Sequence, residues 1–85
     1  MKQFSYVIKD AIGLHARPAG LLVKEAKKYH CSIMVEKGEK TANALRLMAL
    51  MGLGVKCGDT VFITVDGEGE EEAAMKLQDF FEKNL

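Results

Sequence analysis

A histidine and an arginine lie two positions apart in the run Gly13-Leu14-His15-Ala16-Arg17-Pro18-Ala19, and both side chains can contact an anion. A neutral imidazole is a nucleophile near physiological pH, and a guanidinium presents a fork of donors that matches phosphate oxygens. A phosphohistidine is the product that this chemistry favours. The alternative is an inert, solvated His15 at the start of a helix, and the run alone leaves both interpretations open.

The residues around His15 predict a junction between a loop and a helix. Gly13 lets the chain turn through backbone angles closed to other residues, and Pro18, the only proline, suits the first turn of a helix. Apolar residues then recur at helical spacing, at Ala19, Leu22, Val23 and Ala26. The first amides of a helix lack internal partners and carry part of its positive dipole, so an anion on His15 would meet ready donors.

The length, composition and charge of the chain indicate how many domains it has and which kinds of partner are expected. The 85 residues are 48% hydrophobic, which predicts one small domain over residues 1–85, with no linker or internal repeat. Twelve basic and twelve acidic residues balance, so no global charge favours nucleic acid, and a charged partner must meet a local patch. Because no signal peptide or run of about 18 apolar residues occurs, we expect a cytoplasmic protein without direct membrane insertion.

The remaining metal-binding residue types are few and scattered. Cys31 and Cys57 lack the paired spacing of zinc or redox motifs, and we expect two buried free thiols. His30 follows the first predicted helix, where a capping or surface role is expected. No pair among these residues and His15 has ligand spacing, so the sequence predicts neither a metal nor another cofactor.

Hydrophobic periodicity predicts seven elements in the order β-α-β-β-α-β-α. Alternating residues indicate strands over 4–8, 31–36, 40–42 and 60–65, with turns at 37–38 and 66–69. The last helix begins with three glutamates and has an apolar stripe formed by Ala73, Ala74, Leu77, Phe80 and Phe81. One sheet covered on one face by three helices, an α+β open-faced β-sandwich, buries all of these faces.

Two segments could form a surface for partners. The first helix carries one basic face opposite its core stripe, formed by Arg17, Leu21, Lys24 and Lys28, with Lys27 at the edge. The central segment 45–53 places apolar residues all round its axis, so one core face cannot bury them all. This central segment is either a docking patch or a short helix buried deep in the core. The basic face of the first helix is either part of the same docking surface or an ordinary solvated face.

The run from 13 to 19 resembles the active-site signature of HPr, the histidine-containing phosphocarrier family of the phosphoenolpyruvate-dependent sugar phosphotransferase system. The segments 40–44 and 47–54 resemble the family's central region, and the length and order of elements match from end to end. The resemblance implies a mostly antiparallel four-stranded sheet. It also implies that His15 accepts a phosphoryl group on Nδ1 from phosphorylated enzyme I and delivers it to a sugar-specific enzyme II A component.

The resemblance also assigns roles to residues around His15. Arg17 stabilises the anion, the amides of Ala16 and Arg17 are helix-terminal donors, and Pro18 sets the corner. Partner docking falls to Leu21, Lys24, Lys27, Leu47, Met48, Met51 and Gly54, where Gly54 either admits another loop or forms a simple turn. The partners supply the catalytic machinery, so we expect a phosphoryl carrier rather than an independent enzyme, and a monomer.

One position departs from the family. Many HPr proteins have a regulatory serine where this chain has Arg46, so the resemblance implies that this regulatory site is absent. Asn43 is then the nearest residue expected to cap the following helix. The departure leaves an alternative function open, an HPr-like regulatory or interaction module that acts on non-transport partners.

Overall fold

The computed structural model describes residues 1–85 and contains four strands and three helices. The elements are β1 (Lys2–Val7), α1 (Ala16–Ala26), β2 (Cys31–Lys37), β3 (Lys40–Asn43), α2 (Leu47–Gly52), β4 (Thr60–Gly67) and α3 (Glu70–Asn84). This order confirms the predicted β-α-β-β-α-β-α arrangement. Several boundaries differ from the prediction. β1 spans Lys2–Val7 rather than 4–8, and β2 and β3 each continue one residue further, to Lys37 and Asn43. β4 continues through Asp66 and Gly67, which pair with β2 rather than forming part of the turn. None of the three helices is long and apolar enough to cross a bilayer.

The four strands form one sheet in the order β1-β4-β2-β3, and every neighbouring pair is antiparallel. Ile63 of β4 lies at the centre, paired with Phe4 on one side and Val35 on the other. Side chains alternate between the two faces, so Ile63 is buried while its neighbour Phe62 is 53% exposed. The helices cover only one face, which confirms the open-faced β-sandwich.

The core is a single cluster of 20 buried hydrophobic residues between the covered face of the sheet and the helices. Phe81 of α3 is the largest fully buried side chain, and its ring meets Phe4 and Tyr6 edge to face at centroid distances of 5.9 and 5.6 Å. The predicted stripe of α3 faces this core, with Phe80 only partly buried. This packing holds α3 against β1, whose end leads into the loop before His15.

Gly13 is where the loop before α1 meets the loop after α2. Its φ is +89°, and a Cβ built there would lie 2.3 Å from the carbonyl oxygen of Val55 and 2.7 Å from the Cα of Lys56. The next amide, that of Leu14, donates to the same Val55 oxygen at 3.1 Å. Gly54 has a φ of +67° and open space around it, so the close approach between loops occurs at Gly13 and not at Gly54.

The prediction that both cysteines are buried is wrong. Cys57 is exposed in the loop between α2 and β4, and Cys31 is half-buried at the start of β2, where its thiol contacts the carbonyl oxygen of Glu68 at 3.0 Å. Cys31 packs only against the edge of the core, and Cys57 lies in a loop outside any helix or strand. His30 is exposed, in agreement with a surface role.

Candidate functional site

His15 is the N-cap residue of α1, with extended backbone angles of φ −98° and ψ −174°. Its carbonyl oxygen accepts the amide of Ala19 at 2.9 Å, while its side chain makes no capping hydrogen bond. The imidazole is therefore not used to cap the helix, and its side chain is 35% exposed. The sequence prediction that His15 lies directly ahead of the helix is confirmed.

The first turn of α1 offers an unopposed positive end. Ala16, Arg17 and Pro18 occupy the first three helical positions, where amides have no partner one turn earlier and proline has no amide to lose. No acidic side chain lies in this turn. The partial positive charge of the helix terminus is thus available to an anion held by His15.

Asp10 is a site residue that the sequence analysis missed. Its Oδ1 accepts the amides of Ile12 at 2.9 Å and Gly13 at 3.3 Å, and it lies 3.8 Å from Nε2 of His15. The sequence does contain one local signal for Asp10. An aspartate that accepts the amides two and three residues later forms a turn. That signal predicts a turn only, whereas the approach to the imidazole depends on how the loop folds back.

His15 and Arg17 line one shallow depression of about 260 Å³ at the start of α1. The other lining residues are Asp10, Pro18, Leu21, Lys83 and Asn84. The last two come from the end of α3 and were not singled out from the sequence, because only tertiary packing brings them to His15. Lys83 donates to Asp79 at 2.9 Å, and this contact raises the pKa of its ammonium above the ordinary value, so Lys83 adds a permanent cation.

The central segment presents an exposed apolar surface, which we call the apolar patch. It consists of Leu45, Leu47, Met48 and Met51, whose exposed fractions are 49%, 39%, 77% and 38%. Leu50 and Leu53 point into the core, so the segment divides its apolar residues between core and solvent. The alternative of a deeply buried helix is therefore wrong.

The predicted basic residues lie on the neighbouring helix. α1 packs against α2, and Leu21 of α1 is 41% exposed on the surface that also forms the depression around His15. Lys24 and Lys27 are exposed on the same helix, and Gly54 is exposed just beyond α2. The structure thus carries an apolar patch and basic side chains on adjoining helices.

Asn43 does not cap α2, contrary to the sequence-based expectation. Its Oδ1 accepts the amide of Leu45 at 2.9 Å, and its carbonyl oxygen accepts the amide of Arg46 at 3.0 Å, so it stabilises the turn before the helix. Arg46 itself is the N-cap and provides no side-chain acceptor. Asn43 lies too far ahead of Leu47 for its short side chain to reach the helical amides, because a capping acceptor normally sits directly at the helix start.

A charged cluster anchors the loop that Gly13 contacts. Lys37 donates to the carbonyl oxygen of Gly54 at 2.8 Å and lies 3.0 Å from Asp59, whose Oδ2 also accepts the amide of Lys56 at 2.8 Å. The hydrogen bond from the Lys56 amide, followed by the contact with Lys37, lowers the pKa of the Asp59 carboxyl below its ordinary value. No group of three or more His, Cys, Asp or Glu side chains is arranged to hold a metal ion.

The sequence is similar to known phosphocarriers over almost its whole length. Residues 2–83 match the family described as the PTS HPr component phosphorylation site, where PTS denotes the phosphotransferase system. Phosphocarrier protein HPr of Mycoplasma genitalium is 40% identical over 85 residues, which cover 99% of this chain and 97% of that protein. The HPr-like protein Crh of Halalkalibacterium halodurans is 41% identical over 76 residues, covering 89% of this chain and 90% of the relative.

Solved structures agree with the sequence comparison. A crystal structure of HPr from Thermoanaerobacter tengcongensis matches with a TM-score of 0.92 at 44% identity, covering 99% of this chain and 94% of that one. A crystal structure of an HPr dimer from the same organism matches with a TM-score of 0.76 at 44% identity, covering 98% and 95% of the two chains.

An open-faced sheet with a free histidine at a helix start is the architecture of a phosphocarrier. The chain belongs to the HPr family, the phosphocarrier proteins of the phosphotransferase system.

Proposed function

We propose that His15 accepts a phosphoryl group from phosphorylated enzyme I and that this carrier passes it to a sugar-specific enzyme II A component. The observation that supports this most directly is the position of His15 at the positive end of α1, where its side chain makes no capping hydrogen bond and lies beside Arg17. The proposal treats residues 1–85 as one phosphocarrier domain that works in the cytoplasm.

The transfer is a displacement at phosphorus. The Nδ1 lone pair of His15 forms a bond to phosphorus while the bond to the donor breaks, and the donor keeps its electron pair. Arg17 and the amides of Ala16 and Arg17 stabilise the charge on the phosphoryl oxygens, and Pro18 fixes the turn that aims these amides. In-line transfer depends chiefly on positioning and charge, so the partners supply the remaining catalytic groups and the carrier is not an independent enzyme.

Docking of both partners uses the apolar patch, with Leu47, Met48 and Met51 at its centre. Leu21, Lys24 and Lys27 of α1 add to this docking surface, where the two lysines form its basic rim, and Gly54 lies just beyond α2. Flexible methionine side chains adapt to more than one partner, which suits a carrier that must bind a donor and an acceptor in turn. The matching partner surface is an apolar groove edged with carboxylates.

Phosphorylation of the purified chain by phosphoenolpyruvate, magnesium and enzyme I tests the proposal. Intact-mass spectrometry should show one acid-labile phosphate on the wild-type chain and none on His15→Ala. His30→Ala is the matched control, because His30 is the other histidine and is exposed, and it should still gain the phosphate. An unmodified wild-type chain beside an active enzyme I contradicts the proposal, as does phosphate retained by His15→Ala.

The similarity to the HPr-like protein Crh favours a second candidate, a regulatory or interaction module acting on non-transport partners. Onward transfer of the phosphate to an enzyme II A component separates the two candidates, because a regulatory module need not deliver it.

We propose that the carrier is a monomer, since it must bind a donor and then an acceptor transiently through one exposed surface. The HPr dimer of Thermoanaerobacter tengcongensis makes the mass in solution, measured by light scattering, the direct check.

A further inference from the structure

We propose that Asp10 is the positioning residue that keeps Nε2 of His15 protonated and leaves Nδ1 as the free nucleophile. This inference rests on the proposed function and deepens it, because it names the residue that selects the reacting nitrogen. The contact that carries it is the 3.8 Å separation between Asp10 Oδ1 and His15 Nε2.

The carboxylate of Asp10 is held in place before any partner arrives. Its Oδ1 accepts the amides of Ile12 and Gly13, and its own amide donates to the carbonyl oxygen of Leu85 at 2.8 Å. The side chains of Asp10 and His15 are 31% and 35% exposed, so water only partly screens their interaction. A fixed carboxylate beside one ring nitrogen favours the tautomer that carries its proton there.

This arrangement suits both directions of transfer. When Nδ1 attacks phosphorus, the donor bond breaks, and the ring becomes a phosphoimidazolium whose Nε2 proton faces Asp10. When an acceptor later attacks phosphorus, the P–Nδ1 bond breaks, its electron pair returns to Nδ1, and the ring leaves as neutral imidazole with Nε2 still protonated. Asp10 therefore stabilises the positive ring without taking up the proton.

Charge on the surrounding elements favours the same nitrogen. Phosphate on Nε2 would meet the negative Asp10, whereas Nδ1 lies on the other side of the ring. The remaining charged side chains of the depression are Arg17 from α1 and Lys83 from α3, both cations. Lys83 is paired with Asp79, whereas Arg17 has no ion-pair partner in the structure and is free to contact the phosphoryl oxygens.

The variant Asp10→Asn isolates the charge. Asparagine retains an oxygen that can accept the amides of Ile12 and Gly13, so the turn is preserved while the carboxylate is lost. Asp66→Asn is the matched control, because it makes the same chemical change at the end of β4, where the side chain is 57% exposed and pairs with the first residue of the chain. Asp10→Ala removes both the charge and the turn acceptor.

The first measurement needs no partner protein. Long-range ¹H–¹⁵N correlation spectra of the neutral ring report the tautomer ratio, and the Nε2–H form should predominate in the wild type and in Asp66→Asn. Its share should fall in Asp10→Asn and fall further in Asp10→Ala. The same tautomer ratio in all four proteins overturns the inference.

The second measurement is the rate of phosphorylation by enzyme I at subsaturating carrier. We expect about a threefold to tenfold loss for Asp10→Asn and less than about a twofold change for Asp66→Asn, as for a partly exposed charge pair. An unchanged rate in Asp10→Asn also overturns the inference, although wild-type phosphorylation then upholds the proposed function. If the tautomer ratio depends on Asp10 but the wild type is never phosphorylated, the positioning role stands and the proposed function fails.

Discussion

Gly13 is the single residue on which the position of His15 depends most directly. A positive φ and the absence of a Cβ let the chain pass within hydrogen-bonding distance of Val55, and the Leu14 amide uses that approach. His15 lies two residues after Gly13 and takes up the N-cap geometry of α1. The conformation of Gly13 therefore allows the loop contact that precedes the start of the helix.

Gly13→Ala should lower the free energy of unfolding by about 2–4 kcal/mol, because it combines left-handed backbone strain with a backbone clash. Chemical denaturation monitored by circular dichroism measures the change. Gly20→Ala is the matched control: Gly20 lies inside α1 with nothing within 4 Å of a Cβ, so alanine there should stabilise the protein by about 0.5–1 kcal/mol. Equal stability of Gly13→Ala and the wild type would refute the role given to Gly13.

Individual residues were predictable from sequence only where their signal is local. The spacing of His15, Arg17 and Pro18 places them at a helix start, and the structure has them there. Asp10 and Lys83 join the same depression through a folded-back loop and the end of a distant helix, and no local pattern records either approach. The sequence thus predicted where the candidate site lies, but not all of the residues that line it.

At the scale of elements, the loop between α2 and β4 supports the loop that carries His15. Lys37, at the end of β2, contacts Gly54 and Asp59 within this loop, and the carbonyl oxygen of Asp59 accepts the amide of Ile8 at 2.9 Å. Neither loop lies in a helix or strand, so their mutual hydrogen bonds and this charged cluster determine their geometry. Hydrophobic periodicity predicted all seven elements, whereas this link between loops has no periodic signal.

The cluster should make the loop sensitive to acid. Because the pKa of Asp59 is lower in the folded protein than the ordinary value of about 3.9, its stabilisation is present above about pH 4 and is lost as the pH falls through the folded pKa. Asp59→Asn should therefore melt below the wild type near pH 6, with the difference in Tm shrinking toward about pH 2. Other titrating carboxyls are common to both proteins, so a difference that stays constant across this range would contradict the prediction.

Hydrogen exchange of single amides tests whether the loss of the Asp59 charge loosens this loop in particular. The Leu14 amide, which donates to Val55, should exchange faster in Asp59→Asn than in the wild type near pH 6. The amide of Val35 in the central sheet serves as an internal reference, because that residue is fully buried and distant in sequence from the loop. Equal acceleration of both amides would indicate global destabilisation and not loosening of the loop.

At the scale of the whole molecule, one face of the sheet carries the helices and the other faces solvent, and most of the candidate functional residues lie on the helical layer. α1 supplies His15, Arg17 and basic side chains, and the packing of α2 beside it adds the apolar patch. Sequence periodicity predicted the surplus of apolar residues in the central segment, because a six-residue helix cannot bury side chains on every side. Which of them reach solvent was decided by the packing of α2 on α1 and the core.

Met48→Glu tests whether this surface docks the partners. Met48 is 77% exposed, so glutamate should leave the free energy of unfolding within about 0.5 kcal/mol of the wild type, while its charge opposes an acidic partner surface. We expect kcat/KM for phosphorylation by enzyme I to fall about tenfold or more, as when a central contact of an interface is lost. Met75→Glu is the matched control, because Met75 is 71% exposed on α3, outside the apolar patch, and receives the same charge. Equal losses in the two variants would point to a general charge effect, and unchanged kinetics in Met48→Glu would remove the apolar patch from partner docking.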